Sequence, residues 1–222
     1  MATNNKLLKP IFAAIIAALA IIVGYIEIVW PGAPHLKLDF SEVVILVSLI
    51  IVGFNYTLAV IVIRSVVRWL ISGHSTNIPY PFFGESIAIV ASLVMVLIYM
   101  LFIKVIKPKK DSNINEDLPS TKKKEVAKIV GKEIAMIVIV TVLMAIFMVG
   151  INFVLVTPAY LSAGEYPLFF QFLNSGNFDG GLLEYTSLIV AMYLPFNLVK
   201  FALCLTIFTL IKKPLQMAIT IE

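Results

Sequence analysis

The sequence predicts an all-α membrane protein, built as a bundle of six transmembrane helices with the N- and C-termini in the cytoplasm. Of its 222 residues, 60% are hydrophobic and only 14% are charged, which is more apolar surface than a soluble domain needs. The mean hydropathy is +1.00, and apolar runs long enough to span a bilayer recur along the chain. A chain of this length fits one bundle, so we expect a single domain over residues 1–222.

The first predicted span covers residues 11–30 and ends at Trp30, an interfacial aromatic residue that a proline follows. Its first half carries alanines spaced four apart, and such small-residue ridges let another helix approach closely in lipid. The pattern leaves open whether the ridge packs inside the bundle or against another subunit. Glu27, near the outer end, is expected to reach the interface or to pair with a basic residue. The ridge consists of Ala13, Ala14, Ala17 and Ala18.

Two arginines occupy one face of the next long apolar segment. Residues 31–42 are predicted as a loop and residues 43–53 as a short apolar run, about a third to a half of a full crossing. The span at residues 57–71 carries Arg64 and Arg68, four positions apart. Charged residues in a span face the bundle interior or the interface, so structural ion pairs are favoured over a substrate role. The available partners are Glu27, Asp39, Glu42 and Glu85.

Three further spans and three loops are predicted in the rest of the chain. The longest hydrophilic loop is strongly basic, and we expect it to be flexible and cytoplasmic. The last span is expected to bend or break near Pro195, because proline removes one backbone donor. The spans cover residues 86–106, 133–156 and 182–211, and the loops cover residues 73–83, 107–132 (the basic one) and 159–181.

The basic residues give the bundle an orientation. If the N-terminus is cytoplasmic, thirteen of the seventeen lysines and arginines fall on the inner side. The positive-inside rule therefore predicts that both termini are cytoplasmic. The inner residues are Lys6, Lys9, nine lysines between positions 104 and 132, Lys212 and Lys213.

An amide and an ammonium interrupt the last apolar stretch. Asn197 and Lys200 are three apart, so on a helix they share one face. Lys200 lies about 18 Å from the inner boundary at Lys212, too far for its side chain to reach the inner side easily. Two interpretations stay open. Lys200 is a structural residue satisfied by helix-end carbonyls or a carboxylate, or it is a ligand site in which Lys200 donates and Asn197 both donates and accepts.

The sequence carries no pattern typical of an enzyme. It contains no HExxH, GxSxG or Walker A motif, and its single cysteine, Cys204, excludes a metal cluster built from cysteines. No matching pair of interrupted repeats occurs, which argues against a secondary transporter. Several polar residues fall in the outer half of the predicted bundle, and they indicate a pocket open to an extracellular ligand. They are Lys37, Asp39, Glu85, Asn152, Asn197 and Lys200.

Four short motifs follow one another along the chain. They are the run from Leu36 to Ser41, the Gly84-Glu85 pair, Asn152-Phe153 followed by Pro158 and Tyr160, and the run from Pro195 to Lys200. Together they resemble the riboflavin-binding S components of energy-coupling-factor (ECF) transporters. The resemblance covers nearly the whole chain.

This resemblance implies the substrate-binding subunit of a vitamin importer in a bacterial plasma membrane. Such a subunit binds riboflavin from outside and associates with a transmembrane coupling subunit and two cytoplasmic ATPases. Riboflavin is then the transported ligand rather than a cofactor, and the partner subunits use the ATP. The resemblance implies that the alanine ridge contacts the coupling subunit and that Asn152, Asn197 and Lys200 bind the polar edge of the flavin ring. Leu38, Asp39 and Glu85 complete the predicted substrate-binding set.

Other functions stay open at this point. The Arg64/Arg68 pair, the long loop at residues 159–181 and Val43-Val44, where relatives commonly have a proline, depart from the pattern. The ligand could therefore be FMN or another heterocyclic vitamin of the pyridoxine or pyrimidine type. A stand-alone secondary transporter and a membrane scaffold without a small ligand are the alternatives from other classes.

Overall fold

The computed structural model describes residues 5–72, 80–106, 119–165, 168–175, 178 and 180–220. Helices make up most of this part of the chain, and one small hairpin joins the first two. The helices are α1 (Asn5–Gly24), α2 (Ser41–Ile51), α3 (Phe54–Ser72), α4 (Phe83–Ile106), α5 (Pro119–Ile151), a π-helical turn (Asn152–Val156), α6 (Thr157–Leu161), α7 (Phe169–Asn174) and α8 (Leu182–Thr220); the strands are β1 (Ile28–Trp30) and β2 (Ala33–Leu38).

Four helical segments within the described residues are long and apolar enough to cross a membrane. They are Phe54–Ser72, Phe83–Lys104, Val130–Leu161 and Leu182–Met217. The apolar part of α1, Leu8–Gly24, and α2, Ser41–Ile51, are shorter. At 1.5 Å per residue, α2 rises only about 16 Å, roughly half of the hydrocarbon core. The prediction of a helical membrane protein is confirmed, and the prediction of a short apolar segment after residue 42 agrees with α2.

The hairpin is the first departure from the predicted all-α architecture. α1 ends at Gly24, not at residue 30, and β1 pairs antiparallel with β2 through Ile28↔Leu38 and Val29↔Lys37. The turn between the strands contains Gly32 at φ +81°, a conformation that glycine adopts without strain. The predicted span was too long because a short run of β-branched residues suits a strand as well as a helix.

The last helix and the basic loop also differ from expectation. α8 is continuous from Leu182 to Thr220 although it contains Pro195, so the predicted break is wrong. α8 packs along α5 and against α2, and such packing lets a helix tolerate proline in a membrane bundle. The basic segment is helical from Pro119 onward, where α5 begins. Residues 107–118, including most of the predicted flexible middle, lie outside the described residues, and the loop at 159–181 contains α7.

The alanine ridge divides between two faces of α1. Ala13 and Ala17 are 3% and 1% exposed and belong to a core cluster shared with α2 and α3, whereas Ala14 and Ala18 are exposed. Successive residues on a helix are rotated by about 100°, so the two pairs cannot share one interface. The predicted role of Ala13 and Ala17 in partner binding is therefore wrong for this structure, because helices of the same chain cover them. Contact of Ala14 and Ala18 with a partner stays a prediction.

Candidate ligand-binding site

A cavity of about 1190 Å³ opens between the hairpin, α3, α4, the π-helical turn and α8. Its volume slightly exceeds the range of about 300–1,000 Å³ that is usual for small-molecule sites. Five of the six residues predicted to bind the substrate line its wall: Asp39, Glu85, Asn152, Asn197 and Lys200.

Leu38 is the predicted residue that lies outside this wall. It is 4% exposed and pairs with Ile28 across the hairpin. Leu36 and Lys37, its neighbours in β2, do line the cavity. A direct contact between Leu38 and a ligand therefore does not fit this geometry, and Leu38 instead stabilises the hairpin that carries Asp39.

α8 brings Asn197 and Lys200 to the cavity on one face, as their spacing predicts. The Lys200 Nζ atom donates to Asp39 Oδ2 at 2.9 Å, and the two residues are 161 positions apart. Asn197 is 2% exposed and donates through Nδ2 to the Tyr193 carbonyl at 2.8 Å. A carboxylate therefore satisfies Lys200, as the structural interpretation expects, and Lys200 also lines the cavity. Its role as a ligand donor stays a prediction.

Asp39 is held by its own sequence neighbour as well as by Lys200. Its Oδ1 atom accepts hydrogen bonds from the Ser41 backbone N–H at 3.0 Å and from the Ser41 hydroxyl. Burial raises the pKa of the Asp39 carboxyl, but the Lys200 ammonium and the Ser41 hydroxyl outweigh it, so the pKa lies well below its usual range. The carboxylate is therefore ionised at neutral pH and forms a true ion pair with Lys200.

The π-helical turn places Asn152 in the cavity wall beside α8. The Thr157 N–H bonds to the Asn152 carbonyl five residues earlier, next to Pro158, which has no N–H to continue the α-helical pattern. Turns of this kind are frequent at functional sites because they re-aim a side chain. Asn152 donates through Nδ2 to the Met148 carbonyl at 2.7 Å. Its carboxamide keeps an oxygen and a second N–H for other partners.

Arg64 forms the buried centre of a polar network in the cavity wall. It is 1% exposed, and its Nη1 atom lies 3.0 Å from Ser41 Oγ and 3.4 Å from Glu42 Oε1. Its Nη2 atom donates to Ser92 Oγ at 3.1 Å, and Ser92 donates to Glu42 Oε1 at 2.7 Å. The prediction that Arg64 makes a structural ion pair with an available carboxylate is confirmed.

Arg68 forms a second network nearer to the end of α1. Its Nη2 atom lies 3.3 Å from Glu27 Oε1 and its Nε atom 3.5 Å from Glu85 Oε1. Lys37 contacts the other oxygen of Glu27 at 2.6 Å. The Arg68 guanidinium also lies over the Tyr25 ring, 5.9 Å from its centroid. These contacts join the segment between α1 and β1, the hairpin, α3 and α4, and they confirm the predicted pairing of Arg68.

The charges in the cavity wall balance. Among the described residues of the wall, each cation lies within 4 Å of a carboxylate, and the four cations and four carboxylates sum to a formal charge of zero. A neutral polar ligand fits this described lining better than an anion, because each of these cations already has a carboxylate partner. The cations are Lys37, Arg64, Arg68 and Lys200, and the carboxylates are Glu27, Asp39, Glu42 and Glu85.

Sequence reasoning missed the aromatic part of the wall. Trp69, Tyr193, Phe196 and Phe201 line the cavity, and Phe196 packs edge-on against Trp30 at 5.6 Å between ring centroids. Flat apolar surfaces of this kind suit an aromatic heterocycle. Helical spacing could have found Tyr193, which lies one heptad before Lys200 on the same face of α8.

Comparison with known proteins identifies a family whose model this sequence matches. Residues 9–212 match the family model described as "ECF transporter, substrate-specific component". The riboflavin transporter FmnP of Bacillus subtilis (strain 168) is 26% identical over 207 residues, covering 93% of this chain and 90% of FmnP. The riboflavin transporter RibU of Streptococcus thermophilus (strain ATCC BAA-250 / LMG 18311) is 25% identical over 215 residues, covering 96% of this chain and 84% of RibU.

A solved structure shares the fold. It is the structure of the S component of a bacterial ECF transporter, and it superposes on this chain with a TM-score of 0.57 at 19% sequence identity. The match covers 96% of this chain and 98% of that one. Because the family model covers most of the sequence and the solved structure shares its fold, the chain belongs to the substrate-specific components of ECF transporters.

Proposed function

We propose that this protein captures riboflavin outside the cell and delivers it for ATP-driven uptake. The observation that carries the proposal is that two carboxamides, Asn152 and Asn197, and the ammonium of Lys200 line one cavity. The pyrimidine edge of a flavin offers carbonyl acceptors and one N–H donor, which carboxamides and an ammonium can match. The names of the two relatives point to the same ligand.

The balanced lining favours riboflavin over its phosphate ester. A phosphate monoester carries a charge of about −1.5 to −2 at neutral pH. To bind it, the wall would have to give up one of its existing ion pairs, such as Lys37–Glu27 or Lys200–Asp39. Riboflavin has the same ring and a neutral polyol chain, so it requires no such exchange.

Titration of riboflavin with the purified protein tests the ligand. We expect the protein to quench riboflavin fluorescence at one site per chain, with FMN competing more weakly and pyridoxine not competing. Protein purified from riboflavin-supplied cells should also be yellow. Absence of quenching by a folded preparation would contradict the proposal. Stronger competition by pyridoxine than by FMN would indicate that the ligand is a vitamin of another class.

We propose that the partners are a transmembrane coupling subunit and two cytoplasmic ATPases, and that Ala14 and Ala18 contact the coupling subunit. Replacing Ala14 or Ala18 with leucine should reduce copurification of the partners and leave riboflavin affinity unchanged, because added bulk keeps helices apart. Both positions are exposed on α1.

The buried alanines give a matched control for this prediction. Ala17→Leu should instead lower the melting temperature, since overpacking a filled core costs about 1–3 kcal/mol, and Ala17 is 1% exposed. Normal copurification of both Ala14→Leu and Ala18→Leu would show that the coupling subunit binds elsewhere.

We also propose that six helices cross or enter a bacterial plasma membrane, with both termini cytoplasmic. The helices are α1 to α5 and α8, and the lysine asymmetry sets the direction. In the proposed topology position 112 is cytoplasmic and position 175 extracellular.

Cysteine labelling of intact cells tests this orientation. An impermeant thiol reagent should label Ser175→Cys from outside and should leave Ser112→Cys unlabelled until the cells are opened. The native Cys204 is buried, so it should give little background. Labelling of Ser112→Cys on intact cells would show that the bundle has the opposite orientation.

A further inference from the structure

Ser41 lies between the buried Arg64–Glu42 ion pair and the partly buried Lys200–Asp39 ion pair. Its hydroxyl donates to Asp39 Oδ1, the carboxylate that holds Lys200, and accepts from Arg64 Nη1 at 3.0 Å. A hydroxyl has one proton that it can donate and lone pairs that can accept. Ser41 can therefore make both bonds at once, accepting from Arg64 and donating to Asp39. The contacts run without a gap from Arg64 through Ser41 and Asp39 to Lys200. Ser41 and Arg64 are each 1% exposed.

Arg64 is the fixed end of this chain of contacts. Its guanidinium is tied to α2 through Glu42 and to α4 through Ser92 and the Ala88 carbonyl. Asp39, by contrast, lies between the end of β2 and the start of α2, outside regular structure. Arg64 therefore supplies, through the Ser41 hydroxyl, a rigid reference to a carboxylate that the Ser41 backbone N–H also holds.

We propose that Arg64, acting through Ser41, is a positioning residue for ligand capture, because it fixes the Asp39 carboxylate that holds the Lys200 ammonium at the cavity wall. The inference rests on the proposed function, in which Lys200 donates to the ligand. A donor held in place before binding gives up less conformational freedom when the ligand arrives. The Arg64 network thus contributes to affinity through the position of Lys200, in addition to its own place in the cavity wall.

The test removes the connecting hydroxyl and keeps the Arg64–Glu42 pair. Ser41→Ala should weaken riboflavin binding about five- to tenfold, the effect of losing one hydrogen bond to a charged group. Ser48→Ala is the matched control, since Ser48 is also a fully buried serine of α2, but its hydroxyl bonds to Thr57 and not to Arg64 or Asp39. It should change affinity less than about twofold.

A double-mutant cycle separates positioning from general structural damage. If Ser41 acts through Lys200, then Ser41→Ala should change affinity less than about twofold when Lys200 is already methionine, because coupled residues are not additive. The same loss in both backgrounds would overturn the proposal, as would an equal loss from Ser48→Ala. A Ser41→Ala protein that does not fold is replaced by Arg64→Met/Glu42→Met, which removes the anchor without leaving a buried charge unpaired.

Failure of the proposed function has a different signature. If riboflavin does not bind, or if Lys200→Met leaves affinity unchanged, the proposed ligand or its site is wrong. The chain of contacts is then tested in the ligand-free protein by melting temperatures of the same cycle. If the melting-temperature change of the Ser41→Ala/Lys200→Met double variant differs by about 2–4 °C from the sum of the two single changes, Arg64 remains the residue that positions Lys200. Additive shifts would overturn it.

Discussion

Replacing Lys200 with methionine or Asn197 with alanine is expected to weaken riboflavin binding by roughly tenfold to a hundredfold. Each change leaves a polar group of the bound flavin without its hydrogen-bond partner, which costs on the order of 1–3 kcal/mol. Both residues line the cavity from one face of α8. The measurement is a riboflavin titration by fluorescence quenching for each variant.

The stability of the Lys200 variant separates its two roles. From the sequence alone, removing a costly ammonium at membrane depth is expected to stabilise the empty protein. The ion pair with Asp39 at 2.9 Å reverses that expectation, because methionine leaves a shielded carboxylate without its partner. We therefore expect Lys200→Met to lower the melting temperature and Lys200→Met/Asp39→Asn to recover it without recovering affinity.

Thr206→Ala provides a control on the same helix. Thr206 is exposed on α8, outside the cavity wall, and its hydroxyl bonds to the Ala202 carbonyl at 2.7 Å. Its loss should leave riboflavin affinity unchanged. If Asn197→Ala and Lys200→Met behave like Thr206→Ala, the flavin edge lies against another part of the wall and Lys200 is a structural charge.

Local spacing was enough to predict one wall of the site. Asn197 and Lys200 share a helix face because they are three residues apart, and that relation needs no knowledge of other segments. The partner of Lys200 could not be predicted in this way, since Asp39 lies 161 positions away. Only the packing of the hairpin segment against α8 brings the two residues together.

Hydropathy predicted where apolar segments occur but not what they form. Residues 28–30 were assigned to the first span, and they form β1, because a three-residue apolar run carries no period. Spacing alone also did not predict which alanines of α1 are buried. The four-residue repeat fits Ala13 and Ala17 as well as Ala14 and Ala18, and only the position of α2 and α3 distinguishes them.

Arg64→Met is expected to have the largest effect on stability, a loss of about 3–5 kcal/mol. Arg64 is 1% exposed and lies 3.4 Å from Glu42, which is 4% exposed. Removing one member of a buried ion pair leaves the other charge without compensation, and this is far more costly than the net value of the pair. In thermal unfolding of the detergent-solubilised protein, the melting temperature should fall by on the order of 10 °C.

The double variant Arg64→Met/Glu42→Met tests the cause of this loss. It removes both charges and fills similar volume with apolar atoms, a replacement that is often neutral or stabilising. Ser41 still donates to Asp39, and the Ser92 hydroxyl, once Glu42 is gone, has the Ala88 carbonyl at 2.8 Å as its acceptor, so the two hydroxyls keep partners. Arg68→Met is the comparison at a less buried pair, 18% exposed, and should cost on the order of 1 kcal/mol. A double variant as unstable as Arg64→Met would show that lost contacts of the guanidinium, rather than the uncompensated Glu42 charge, cause the destabilisation.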